Sequence, residues 1–360
     1  MKRHYFNISV ILLTLSLFIV SCKKEYITNE YITNEYITNE YITNNDYVYN
    51  QEYYSIILKG QEAITISIMP PYLQAGDSVA ICATSNALSE QDRQNVQKSI
   101  DILESWGLEV LEADNLYNTD GRYAGTVSQR RDALKKLIRN PNIKAIIAAR
   151  GGYGCVQLLP IDVTPLIDNP KWIVGFSDVT VLHAAVNNAG IQTIHGAMAN
   201  NFNNNTSVAN LKEALFGTYS KLSIPTNPNC IQGSAEGRLV GGNLTTFYAL
   251  GGTIEDLNVK DAILFFEDTG EANYNVDRML SNLKLSGKLN EVKGIIVGQL
   301  TSMTQGADRP INEIILNNVR DLEIPVMYGI SAGHDSPNLP LYFGRKIKLD
   351  VGAATSTISF

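Results

Sequence analysis

The sequence predicts an α/β fold in two lobes, an N-terminal parallel-sheet lobe and a smaller, β-rich C-terminal α/β lobe. Three observations predict it. The chain has 360 residues, more than one hydrophobic core usually serves. Between residues 70 and 189, short apolar strands alternate with segments of helical spacing, the rhythm of βαβ units. After an Asn-, Thr- and Ser-rich stretch at 200–229, a second set of apolar strands begins.

In order, residues 77–83 read as a short apolar strand, 89–106 as a helix and 108–113 as a second strand. A helix at 128–139, a strand at 145–149, a glycine-rich turn, a strand at 172–175 and a helix at 179–189 continue the alternation. Such alternation predicts a parallel sheet with helices on both faces and functional residues beyond the strand C-termini. The stretch 200–229 holds one short helix, 208–216, and reads as a connection. The second lobe starts near Ser234, has buried-looking strands at 262–266 and 294–298, and ends in a strand pair within 341–351. The expected domains are therefore 67–199 and 234–360, joined by 200–233.

Lys2, Arg3 and His4 form a basic head before an apolar run at 10–20, too short to span a bilayer stably and suited to an export signal over 1–21. Ile19-Val20-Ser21-Cys22 resembles the lipobox of bacterial lipoproteins, which implies lipidation at Cys22 and membrane attachment in the cell envelope, on the outer side of the cytoplasmic membrane or on the outer membrane. Without lipidation, the same segment reads as an ordinary secretory signal. Residues 25–44 repeat Glu-Tyr-Ile-Thr-Asn four times, and a five-residue period gives neither a helix nor a strand one continuous apolar face. Residues 22–66 accordingly read as a tether, reaching on the order of 35–40 Å as a flexible coil. A self-associating stalk is the alternative, because Tyr and Ile favour strands.

The net charge of −7 and pI near 5.2 argue against a nucleic-acid partner, which calls for a basic surface. Cys82, Cys155 and Cys230 show no paired spacing, so neither a disulfide framework nor a metal site is expected, and no cofactor motif is present.

Outside the signal, the histidines are His183, His195 and His334. His183 lies within a helical pattern and reads as a packing residue, whereas His195 ends a strand and suits a cleft or a turn. His334 sits in a loop, Gly333-His334-Asp335-Ser336-Pro337-Asn338, of the kind that carries function on a rigid scaffold. Ser177 follows the strand Ile173-Val174-Gly175 and precedes a helix, where free N–H groups can meet a developing oxyanion. Ser177 and Asp178 also suit a helix N-cap, and the flank is not a Gly-x-Ser-x-Gly elbow. The turn Arg150-Gly151-Gly152-Tyr153-Gly154 lacks the lysine of a P-loop. Glu267 and Asp268 end an apolar strand and read equally as a buried carboxylate or as solvated loop residues.

Taken together, Arg150 to Gly154, Gly175-Phe176-Ser177-Asp178, Glu267-Asp268, and Gly333-His334 with Leu339-Pro340-Leu341 resemble the LD-carboxypeptidase family of serine peptidases, in order, over residues 70–351. The resemblance implies a flavodoxin- or Rossmann-like first lobe bearing the nucleophile and an active site between the lobes. It implies a Ser177, His334, Glu267 triad and an oxyanion site at the N–H groups of Gly152 and Asp178. It also implies a peptidoglycan tetrapeptide that loses terminal D-alanine, with Arg150 a candidate for the substrate carboxylate, and relatives that are often homodimers. A related branch cleaves microcin-type conjugates and stacks a tryptophan, placed between serine and glutamate, on the nucleobase. Here Trp106 and Trp172 both precede Ser177. A binding lipoprotein that captures wall peptides without cutting them is the remaining alternative.

Overall fold

The computed structural model describes Ile64 and residues 66–360. The first lobe runs β1 (Ser78–Cys82), α1 (Glu90–Ser105), β2 (Glu109–Glu112), α2 (Val127–Arg139), β3 (Ile143–Ala148), the short α3 (Pro165–Asp168), β4 (Trp172–Gly175), α4 (Thr180–Asn188) and β5 (Thr193–His195). Then α5 (Asn205–Phe216) and β6 (Lys221–Pro225) lead to β7 (Gly233–Asn243), α6 (Leu244–Tyr248), β8 (Ala262–Thr269), α7 (Asn273–Leu285), β9 (Gly294–Thr301), α8 (Ile311–Val319) and β10 (Val326–Tyr328). The chain closes with β11 (Leu341–Phe343), β12 (Lys346–Val351) and β13 (Thr355–Ser359).

Local chemistry starts the outer helices cleanly. Ser89 with Asp92, and Thr126 with Gln129, form reciprocal capping boxes at the N-termini of α1 and α2, so two otherwise orphaned N–H groups are satisfied at each. By contrast, every residue of α4 is buried, which marks a helix covered on all sides rather than one lying on a surface.

The first sheet has the order β11-β5-β4-β3-β1-β2, and β1 to β5 pair in parallel. The second is mixed, in the order β10-β9-β8-β7-β12-β13-β6, with β7 to β10 parallel. Two placements differ from the sequence expectation. β6, inside the expected connection, forms the edge of the second sheet beside β13. β11 joins the first sheet antiparallel to β5, so the terminal pair of the second lobe is β12 with β13. In that place Leu341, Tyr342 and Phe343 are all 0% exposed, covered on both faces.

Candidate active site

Ser177 stands where β4 breaks into α4, at φ 62°, in the left-handed region that non-glycine residues adopt rarely. Two glycines make this turn sterically feasible. A Cβ on Gly175 would lie 2.9 Å from Val179, and one on Gly151 would lie 3.1 Å from Ser177 Oγ. The glycine-rich turn therefore runs directly against the serine hydroxyl.

The carboxylate comes from β8. Between Phe266 and Asp268 the pairing with β9 shifts register, the extra residue lying on β9, and Glu267 and Asp268 are both buried. They serve different ends. Asp268 is saturated locally: Asn243 Nδ2 and the Thr269 N–H donate to Oδ1, and Thr245 donates to Oδ2 through its N–H and its hydroxyl. Glu267, with a side chain 0% exposed, instead places Oε2 at 2.7 Å from His334 Nδ1. Burial pushes the Glu267 carboxyl up. Burial also works against a charged His334, but the hydrogen bond and the negative charge of Glu267 outweigh it and hold the imidazole above the ordinary histidine range.

The loop bearing His334 is held from several sides. Gly333 adopts φ 139°, and a Cβ there would sit 2.9 Å from Glu267 Oε2. Its N–H donates to Asn338 Oδ1 at 3.0 Å, while the Asn338 N–H donates to Ser207 Oγ at 2.8 Å. Gln299 accepts from the Asp335 N–H and donates to Pro337 O. The edge of the Phe176 ring packs against His334 with centroids 5.0 Å apart, so the residue before the nucleophile touches the imidazole. Ser177 Oγ makes no hydrogen bond among the described residues; catalytic contacts of unliganded sites commonly shorten only in the complex. Beside His334, an open polar depression of about 470 Å³ is lined by Thr269, Thr301, Ser302 and Asp335.

Gly152, at φ 118°, lies in the glycine-rich turn, and Asp178 occupies the first turn after Ser177. Arg150 is not a free cation. Its Nη1 pairs with Asp92 at 2.7 Å, tying the start of the turn to the cap of α1. His183 is a packing residue, bonded to Thr193 Oγ1 and Gly175 O, and burial pushes it down to about 4. His195 is enclosed by Phe176, Phe265 and Phe343, and burial drives it well below its ordinary value. Among the described residues no group of side chains suits a metal ion. The expected signal, the expected lipidation site at Cys22 and the pentapeptide repeat lie outside the described residues.

Sequence reasoning missed Arg130. In the helix Val127–Arg139 it looks like a surface charge, yet it is 0% exposed and donates to Gly125 O, Thr84 O, Gly154 O and Gln157 Oε1. It also missed Gln299, whose partners are remote in sequence, and Asn338, which joins Gly333 within the loop to the remote Ser207.

Comparison with known proteins shows which family the chain resembles. Residues 79–196 match the LD-carboxypeptidase N-terminal domain and residues 236–349 the C-terminal domain. A Synechocystis protein named as a carboxypeptidase is 36% identical over 293 residues, covering 80% of this chain and 96% of its own. The murein tetrapeptide carboxypeptidase of Pseudomonas aeruginosa is 30% identical over 252 residues, covering 65% and 82%. Among solved structures, the microcin C7 self-immunity protein MccF, bound to glutamyl sulfamoyl guanosine, aligns with a TM-score of 0.73 at 23% identity. That alignment covers 82% of this chain and 98% of the other, and shows a shared fold. The chain thus belongs to the LD-carboxypeptidase family of serine peptidases.

Proposed function

We propose that the protein hydrolyses the LD-peptide bond of murein tetrapeptides and releases the terminal D-alanine, with Ser177 as nucleophile, His334 as general base and Glu267 as the orienting carboxylate. The observation that carries the assignment is the 2.7 Å contact between the buried Glu267 and His334, on a loop packed against the residue preceding Ser177. With Nδ1–H donated to Glu267, the imidazole presents Nε2 as the base. His334 takes the Ser177 proton as Oγ attacks the scissile carbonyl, then returns it to the departing amine of D-alanine. The Gly152 and Asp178 N–H groups receive the oxyanion, and water activated by His334 releases the acyl-enzyme. Arg150, whose Nη1 Asp92 holds, is the candidate partner for the substrate carboxylate.

Placement of the tryptophans disfavours a microcin-type conjugate. Trp172 is buried and donates to Pro71 O, and Trp106 packs on Phe202 and Phe216. Neither is available to stack on a base. A purely binding protein would gain nothing from a buried carboxylate tuned to one imidazole.

The test is release of D-alanine from purified murein tetrapeptide. Wild type releases it, and Ser177→Ala lowers kcat by at least about 10⁴ while melting at the wild-type temperature. No release by the wild type from any LD-linked peptide overturns the substrate assignment.

Lipidation at Cys22, with residues 23–66 as spacer, would place the enzyme in the cell envelope beside wall peptides. The lipobox-like segment supports this. Full-length protein should partition into detergent, and Cys22→Ala should move it to the aqueous phase; equal partitioning sinks the anchor.

A further inference from the structure

The Asp178 side chain has no part in the mechanism above, which uses only its backbone N–H. Nevertheless the carboxylate is 5% exposed and spends one oxygen, Oδ2, on two close contacts. It accepts from Ser85 Oγ at 2.6 Å and from the Cys155 N–H at 2.8 Å. Cys155 directly follows the turn Gly151 to Gly154, so this bond ties the far end of the glycine-rich turn to the residue next to the nucleophile.

Other groups grip the same turn. Arg130 Nη1 donates to Gly154 O at 2.9 Å and to Thr84 O at 3.1 Å. Asn86 Oδ1 accepts from the Tyr153 N–H, and a Cβ on Gly152 would meet Asn86 at 2.4 Å. With the N–H groups of Tyr153 and Cys155 engaged, the turn is locked at the height where Gly151 touches Ser177 Oγ. Arg130 and Asn86 reach the turn from elsewhere in the lobe, whereas among the described residues the hydrogen bond from the Cys155 N–H to Asp178 is the one that joins it to the serine's own turn.

We propose that the Asp178 carboxylate is a positioning residue that clamps the glycine-rich turn to the nucleophile turn, fixing the Gly152 and Asp178 N–H donors on one point beside Ser177 Oγ. The inference rests on the serine-peptidase reading of the site. Substituting the side chain spares the backbone N–H, so any effect reports the clamp. Because both hydrogen bonds end on one oxygen, an amide oxygen can replace it, and Asp178→Asn should rescue what Asp178→Ala loses.

The experiment uses the full-length protein and a fluorophosphonate, at whose phosphorus Ser177 Oγ displaces fluoride, its proton passing to His334, without any need for the natural substrate. Alongside it run kcat and KM for murein tetrapeptide. Asp178→Ala is expected to slow labelling and lower kcat about 10- to 100-fold, with KM within about threefold of wild type, and Asp178→Asn to stay within about threefold in both. Ser85→Ala, which removes one of the two bonds, should fall between them and decides the matter if Asp178→Ala does not fold. Wild-type labelling rates in Asp178→Ala or in Ser85→Ala overturn the clamp, as does an Asp178→Asn defect equal to that of alanine. A wild type that takes no label instead overturns the nucleophile assignment on which the clamp depends.

Discussion

At Glu267 the cost of burial becomes a catalytic setting. A carboxylate with a fully buried side chain is expensive unless paired, and here His334 supplies the pairing proton. Both partners titrate above their ordinary values, Glu267 because of burial and His334 because of Glu267, so the folded pair holds its protons to higher pH than the unfolded chain does. The sign for stability follows: the pair's contribution is present below the unfolded histidine value and is lost as pH rises through the folded one. Activity runs the other way, since only neutral His334 can accept the serine proton. The acidic limb of kcat/KM should therefore lie above 6.5, the unperturbed histidine value. Glu267→Gln removes the charge, so that limb should move to lower pH while kcat falls by about 10³ to 10⁴ through loss of the tautomer lock. A pH–rate profile of the two proteins decides it, and an unmoved limb would mean that Glu267 does not set the histidine's titration.

Elements differ in how plainly the sequence announces them, for a physical reason. Strands such as Trp172–Gly175 and Ile143–Ala148 are buried on both faces and read as short apolar runs. β11 reads the same way, but an apolar run reports burial and not partnership, so nothing in Leu341-Tyr342-Phe343 says that it pairs with β5 across the molecule. β6 alternates polar and apolar residues at a sheet edge within a polar stretch, which hides it in the apparent connection. The site shows the same division. Ser177 and His334 were legible as turn and loop residues beyond apolar strands, and the family resemblance made them partners. The choice of Glu267 over Asp268 was not legible, because both are buried at the end of one strand and only their partners, His334 for one and Asn243 with Thr245 for the other, tell them apart. Nor were the holders of the His334 loop: Gln299 acts from 36 residues away, and Ser207 from 131 residues away. Arg130 was hidden because helix periodicity treats a basic side chain as solvated, whereas here it satisfies four oxygens around the glycine-rich turn.

Over the whole molecule, the two lobes share their interior. Alternate residues of β1 enter different apolar clusters, Ala80 and Cys82 one, Val79 and Ile81 the other, as the strand period of two requires. Alternate residues of β8 divide between the same two clusters, with Leu264 and Phe266 in the first and Ile263 and Phe265 in the second. Each cluster thus runs through both sheets. The seam is polar as well as apolar: Arg238 of β7 donates to Asn187 O and Asn258 O, the Asn243 N–H donates to Thr180 Oγ1, and a Cβ on Gly242 would strike Thr180 at 2.4 Å. With β11 also crossing over, neither sheet can keep its core once the other is lost. Two-domain chains often unfold in stages, but these lobes should unfold together. Trp106 and Trp172 both lie in the first lobe, so their fluorescence follows that lobe, while far-ultraviolet circular dichroism follows both. Urea titrations of the full-length protein should give coincident midpoints and slopes by the two probes. A dichroism curve with a second step after the fluorescence change would show instead that the lobe carrying Glu267 and His334 stands alone, leaving the site to be assembled by docking.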